Sequence, residues 1–166
     1  MILKGRAHRF DDDINTDYII SSKYKAQTLR IEDAAKHLME DIDPGFADRI
    51  APGDIIVAGR NFGCGSSREA APRVIKAAGI AAVVAVSFAR IFFRNSINIG
   101  LPVLACDTQD IGNGDEIEVD LATGHVRNLS TGASKAVQPL PKVMMNVIAD
   151  GGLVQHIRKH GTYMLD

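Results

Sequence analysis

The residues of this chain best suited to chemistry lie together in Gly59-Arg60-Asn61-Phe62-Gly63-Cys64-Gly65-Ser66-Ser67-Arg68-Glu69, a turn expected between a buried strand and a helix. Glycines let the backbone approach a ligand closely, and the first N–H groups of a following helix, at the positive end of its dipole, favour an anion. Arg68 can fork two donors onto a carboxylate, which a lysine cannot imitate. The chemistry this implies is recognition of a carboxylate or phosphate with a serine hydroxyl at hand. In the plainer reading the glycines only shape a tight turn and Ser66 or Ser67 caps the helix. A cap, however, needs no arginine beside it and no run of glycines before it.

Three familiar motifs fail on residue type. A P-loop ends in Gly-Lys-Ser/Thr, and Gly65-Ser66-Ser67 has no lysine. A dinucleotide fingerprint after Gly63-Cys64-Gly65 would need a small residue where Arg68 stands. A nucleophile elbow centred on Ser67 would need glycine in place of Glu69, and no histidine is placed as its base. A serine without histidine can still accept a proton where a helix N-terminus and nearby cations stabilise its alkoxide.

The elements that must hold this turn follow from periodicity. Ile2 to Phe10 and Tyr18 to Ile20 are expected as short strands flanking an acidic loop, Asp11 to Asp17. Ile31, Ala34, Ala35, Leu38 and Met39 recur at helical spacing, and Asp43-Pro44-Gly45 then breaks the chain. Asp54 to Gly59 reads as a buried strand leading into the turn. The helix after it carries the stripe Ala71, Val74, Ile75 and Ala78, with Gly79 at its C-terminal cap. Ala81 to Val86 is the next strand, followed by a short helix with Phe88, Ile91 and Phe92 on one face, and Pro102 to Ala105 is another strand. Glu116 to Leu121 alternates as a half-exposed antiparallel strand and turns at Ala122-Thr123-Gly124 into His125 to Leu129. Two short helices close the chain, one opened by Pro141 and one after Gly151-Gly152. This order predicts an α/β fold, three-layered or barrel-like, with a mixed sheet, built as one domain over residues 1–166.

Composition narrows the function classes. With 166 residues, 46% apolar and 23% charged, the chain suits a single core and neither disorder nor a coiled coil. A net charge of −1 supplies no field for nucleic acid or anionic lipid, and no apolar run is long enough to span a bilayer. The two cysteines, Cys64 and Cys106, and the lack of a signal-peptide pattern point to a reducing cytoplasm. They also fall short of the thiolates an iron–sulfur cluster takes, and the five histidines show no ligand spacing and are assigned no role. Any such cofactor would come from another chain.

Three blocks, Asp12-Asp13-Ile14-Asn15-Thr16-Asp17-Tyr18-Ile19-Ile20, Gly63-Cys64-Gly65-Ser66-Ser67-Arg68-Glu69 and Ser87-Phe88-Ala89-Arg90-Ile91-Phe92-Phe93-Arg94-Asn95, occur in an order that resembles the small-subunit family of 3-isopropylmalate dehydratase, in the aconitase superfamily. The resemblance runs nearly end to end. It implies a swivelling β/β/α domain that closes over the active site of a separate large subunit, which carries a 4Fe–4S cluster. It implies a hydro-lyase that moves a hydroxyl between neighbouring carbons of a 2-hydroxy dicarboxylic acid by dehydration and rehydration. By that resemblance Ser66 is the base, acting as an alkoxide, and Gly65, Ser67 and Arg68 contact substrate.

The resemblance also places a specificity loop at Tyr24, Lys25, Ala26, Gln27 and Thr28. Relatives acting on a substrate with an extra carboxylate carry arginine two positions after the tyrosine. Ala26 stands there, which favours an uncharged branched group and hence 3-isopropylmalate. Lys25 replaces the usual leucine, and it leaves homoaconitate-type and 2,3-dimethylmalate-type substrates open. A partner-stabilising module without catalysis and a stand-alone anion receptor are the readings from other classes. Asp13 and Asp17 are expected to hydrogen-bond turns, since Thr16 and Ser22 spoil a calcium loop. Cys64 is expected to fill space; for Arg90 and Arg94 the cleft, the large subunit and water are all open, with a solvated or paired state expected first and interface contact next.

Overall fold

The computed structural model describes residues 1–24 and 30–161. Its strands are β1 (Ile2–Arg9), β2 (Ile55–Ala58), β3 (Ala82–Ala85), β4 (Val103–Ala105), β5 (Glu116–Asp120), β6 (His125–Asn128) and β7 (Ser134–Ala136). They form one mixed sheet in the order β4-β3-β2-β1-β5-β6-β7. The strands β1, β2, β3 and β4 run parallel, and β5, β6 and β7 extend the sheet antiparallel.

The two halves meet within β1. Ile2 to Arg6 pairs with β5, from Ile2 opposite Asp120 to Arg6 opposite Glu116, and Ala7 to Arg9 then pairs with β2. Gly5 sits just before the handover because the Gly53 carbonyl crosses there: a Cβ on Gly5 would lie 2.1 Å from that oxygen.

Because side chains alternate along a strand, β2 and β3 feed two cores. Ile56, Ala58, Val83 and Ala85 face the helices. Ile55, Val57, Ala82 and Val84 face the other way and pack with Ile117, Val119 and Val126 of the antiparallel strands. Burial on both faces explains why these strands are apolar throughout, and the curled sheet with its helical layer gives the expected β/β/α, barrel-like arrangement.

The helices are α1 (Thr16–Ile19), α2 (Ile31–Ala35), α3 (Phe46–Arg49), α4 (Ala70–Ala77), α5 (Arg90–Asn98), α6 (Lys142–Ala149) and α7 (Leu153–His160). In α4 the expected stripe holds: Ala71, Val74 and Ile75 are fully buried, and Gly79 follows the helix with φ +94°.

Several expectations require correction. Tyr18 to Ile20 is no strand; Thr16 to Ile19 make one helical turn, capped by the Asn15 side chain, which accepts from the Tyr18 N–H at 2.9 Å. The helical stripe from Ile31 stops at Ala35, and Leu38 and Met39 reach the core through turns, Met39 with φ +58°. Phe88 lies before α5 begins, so the spacing that grouped it with Ile91 lapses; Phe92 is buried and Ile91 is 51% exposed. In β5 Glu118 breaks the alternation by being buried, with Lys4 at 2.9 Å and Arg127 on its carboxylate. The short elements α3 and β7 went unread, being a single turn and three residues.

Candidate active site

Backbone pairing around Phe62 to Cys64 explains why three separated blocks of sequence belong together. On one side the Gly63 N–H donates to the Ile14 carbonyl at 2.7 Å and the Thr16 N–H donates to the Cys64 carbonyl at 2.9 Å. On the other, the Phe62 N–H donates to Ser87 and the Ala89 N–H donates back to Phe62, at 3.0 and 2.9 Å. The glycine turn is thus the middle rib, with the acidic block and the Ser87–Asn95 block as its neighbours.

Two glycines are dictated by this geometry. Gly63 has φ +79°, and a Cβ there would lie 2.1 Å from Cγ of Phe92. Gly59 passes so close to the acidic block that a Cβ would lie 1.9 Å from Oδ1 of Asp12, which instead accepts from the Arg60 N–H at 2.6 Å. Asp13 accepts from the Asn61 amide at 2.8 Å, as expected of a residue that shapes a turn.

The turn opens on a cleft of about 360 Å³ lined by Thr16, Gly63, Gly65, Ser66, Arg68, Arg90 and Asn95, among others. Ser66 is exposed at its surface, and its carbonyl is tied down by the Thr16 hydroxyl, which donates to it at 2.9 Å. Arg68 is partly buried. One guanidinium nitrogen donates to the Ile20 carbonyl at 3.0 Å and the other meets Asp17 at 2.5 Å. Each terminal nitrogen carries two N–H groups, so the fork is oriented while donors remain. Arg90 adds an exposed cation to the same cleft.

Neither serine caps α4: the helix begins at Ala70, Glu69 occupies the cap position, and its side chain makes no capping hydrogen bond among the described residues. The plainer reading of the two serines therefore does not hold. Ser67 is exposed but does not line the cleft. Burial, with Asp13 nearby, pushes the Cys64 thiol above its ordinary range, which suits a packing residue.

Tyr24 stands apart from this cleft. Its ring stacks on His37 with centroids 3.9 Å apart, and its hydroxyl donates to Glu40 at 2.8 Å. Hydrogen bonds from His37, Tyr24 and Lys23 hold the Glu40 carboxyl well below the usual carboxylate range. Lys25, Ala26, Gln27 and Thr28 lie outside the described residues.

Thr16, Ile91 and Asn95 join the cleft although sequence reasoning gave them no role. Thr16 lies inside the acidic block, where a hydroxyl between two aspartates was the available signal. Asp17 was expected to shape a turn, and it serves as the partner of Arg68.

The model of the aconitase C-terminal domain family matches residues 13–109, which include the second and third blocks and all of the first but Asp12. The chain is 53% identical to a 3-isopropylmalate dehydratase small subunit from Archaeoglobus fulgidus over 97% of this chain and 98% of that one. It is 49% identical to a methanogen homoaconitase small subunit from Methanothermobacter thermautotrophicus, over 95% and 92% of the two chains. A crystal structure of 3-isopropylmalate dehydratase (LeuD) from Methanocaldococcus jannaschii superposes with a TM-score of 0.92 at 43% identity, covering 97% and 96%. The family match, the identity of about half and the near-complete coverage lead to one conclusion: this chain belongs to the aconitase C-terminal domain family, with the small subunits of 3-isopropylmalate dehydratase.

Proposed function

We propose that this chain is the small subunit of a two-subunit hydro-lyase that interconverts 2- and 3-isopropylmalate, working as one domain in the cytoplasm. The observation that carries the reading is the cleft in which an exposed Ser66, tied through its carbonyl to Thr16, faces the same space as the oriented Arg68. Arg68 binds a substrate carboxylate through its remaining donors or in exchange for Asp17, and Gly65 borders that carboxylate; Ser67, exposed but outside the cleft lining, is the weaker of the proposed substrate contacts. Ser66, as an alkoxide, takes the proton from the carbon next to the hydroxyl-bearing one. The C–H pair becomes the double bond as hydroxide leaves; hydroxide then adds to the carbon that lost the proton, and Ser66 returns its proton to the other carbon, which completes the isomerisation and restores the alkoxide.

The family's 4Fe–4S cluster does not fit this chain's donors. Two cysteines fall short of a cluster's thiolates, and burial raises both Cys64 and Cys106, holding them as thiols. On this reading the cluster belongs to the large subunit. Among the described residues no helix is long and apolar enough to cross a membrane.

A homoaconitate-type substrate is the second reading, favoured by Lys25 and by the similarity to the homoaconitase small subunit; a 2,3-dimethylmalate-type substrate is tested beside it. The experiment is anaerobic reconstitution with the cognate large subunit and turnover of isopropylmalate, homocitrate and dimethylmalate. Ser66→Ala should lower kcat by roughly 10²–10⁴-fold, and Arg68→Lys should raise KM through loss of the fork. Full activity of both variants would leave only a partner-stabilising module, and tight dicarboxylate binding by the isolated chain would favour an anion receptor.

A further inference from the structure

One cluster of side chains lies apart from the cleft and serves nothing described above. Asp150 ends α6, and after Gly151 and Gly152 the chain reverses into α7, which carries His156 and His160 one helical turn apart. Asp150 Oδ2 meets His156 Nδ1 at 2.7 Å and His160 Nε2 at 2.9 Å. The three donor atoms lie within 4.8 Å of one another. His156 and Asp150 are almost enclosed, with side chains 2% and 9% exposed, whereas His160 is 30% exposed and opens the cluster to solvent. Lys159 meets the other carboxylate oxygen, Oδ1, at 2.6 Å, so Oδ2 is left to the imidazoles.

We infer that Asp150, His156 and His160 form a site for a divalent late transition metal. Two imidazoles and one carboxylate with an open fourth position make up the donor set that zinc takes in three-ligand sites. Nitrogen-rich sets favour nickel, copper and zinc over magnesium and calcium, which prefer oxygen cages. Metal–ligand bonds near 2.0–2.2 Å place tetrahedral donors about 3.4 Å apart. The carboxylate must then back away from the two imidazoles by about 0.5–0.7 Å. The two ligating nitrogens must present lone pairs, so the protons now shared with Asp150 leave or move to the far ring nitrogens. Lys159 can stay on Oδ1, where its charge opposes the metal. His156 and His160 stand four apart on the helix expected after Gly151-Gly152, a ligand spacing that corrects the expectation that no histidine has a role.

The full chain, stripped with a chelator, is titrated with Zn²⁺ against a chromophoric competitor, and with Co²⁺ to read the tetrahedral visible bands. One ion per chain with a dissociation constant in the micromolar range or below is expected, with no binding of Mg²⁺ or Ca²⁺. His160→Ala, at the open side of the cluster, should keep the circular dichroism of the fold and weaken binding by at least about 100-fold. Lys159→Gln should tighten binding, although it removes an ion pair from Asp150; a purely structural cluster would show only lost stability. Cys64→Ser should leave the titration unchanged. No saturable Zn²⁺ binding, or equal affinity in the wild type and His160→Ala, would overturn the assignment.

Discussion

Replacing Gly63 by alanine tests the claim that the middle rib of the site is shaped by a glycine. Two terms add. The left-handed backbone at φ +79° costs an L-residue about 1–2 kcal/mol. The new methyl would also sit 2.1 Å from Cγ of Phe92, a buried ring held edge-on against Phe62 at 5.2 Å, so it cannot slip aside freely. Overpacking of this kind adds about 1–3 kcal/mol, and the total is about 2–5 kcal/mol.

Gly132→Ala is the matched control, because Gly132 has φ +83° and nothing among the described residues within 4 Å of a Cβ. It should cost only the backbone term, about 1–2 kcal/mol. Urea unfolding of the isolated chain, followed by circular dichroism, should show a clearly larger midpoint fall for Gly63→Ala than for Gly132→Ala at unchanged slope. Adding Phe92→Ala to the wild type and to Gly63→Ala closes the cycle. The Phe92 truncation should cost less in the Gly63→Ala background, since it removes the ring with which the new methyl collides. If Gly63→Ala falls no further than Gly132→Ala, the contact with Phe92 does not constrain the turn and the reasoning is wrong.

Two further expectations follow from individual contacts. Burial would raise the Asp54 carboxyl, but His8 at 2.7 Å and the Ala51 and Arg6 N–H groups outweigh it and hold the group below its usual range. The unfolded chain therefore binds this proton more readily, and the contribution is present above the ordinary carboxylate value of about 4 and fades as pH falls through the depressed one. Asp54→Asn should cost about 1.5–3 kcal/mol at pH 7 and less at pH 3; a loss independent of pH in urea titrations would contradict this. Thr16→Val keeps shape and removes the hydroxyl that holds the Ser66 carbonyl at 2.9 Å. Stability should fall by about 1 kcal/mol, while kcat of the reconstituted pair drops and Thr16→Ser restores it; an unchanged kcat would remove Thr16 from the positioning of Ser66.

Much of the fold was legible in one dimension because its signals are local. The apolar runs of β2 and β3, the stripe of α4 with Gly79 beyond it, and the Pro141 and Gly151-Gly152 openings each report within a few residues. Short elements failed for the same reason: Thr16 to Ile19 and Phe46 to Arg49 are single turns, too brief for a period to show. The stripe from Ile31 misled because Leu38 and Met39 are buried by turns rather than by a continuous helix.

By itself the amino-acid sequence determined the turn, its three glycines, two serines and arginine, and the family they belong to, since these depend on residue type and order. Only the tertiary structure decided what each residue meets. It set the acidic block on one side of Phe62–Cys64 and Ser87–Ala89 on the other, and it paired Arg68 with Asp17. It tied Thr16 to Ser66 across 50 positions of chain and gathered Asp150, His156 and His160 about one point. Hydrogen bonds and ion pairs act over a few ångströms in space, and separation along the chain says little about that distance until the backbone has folded.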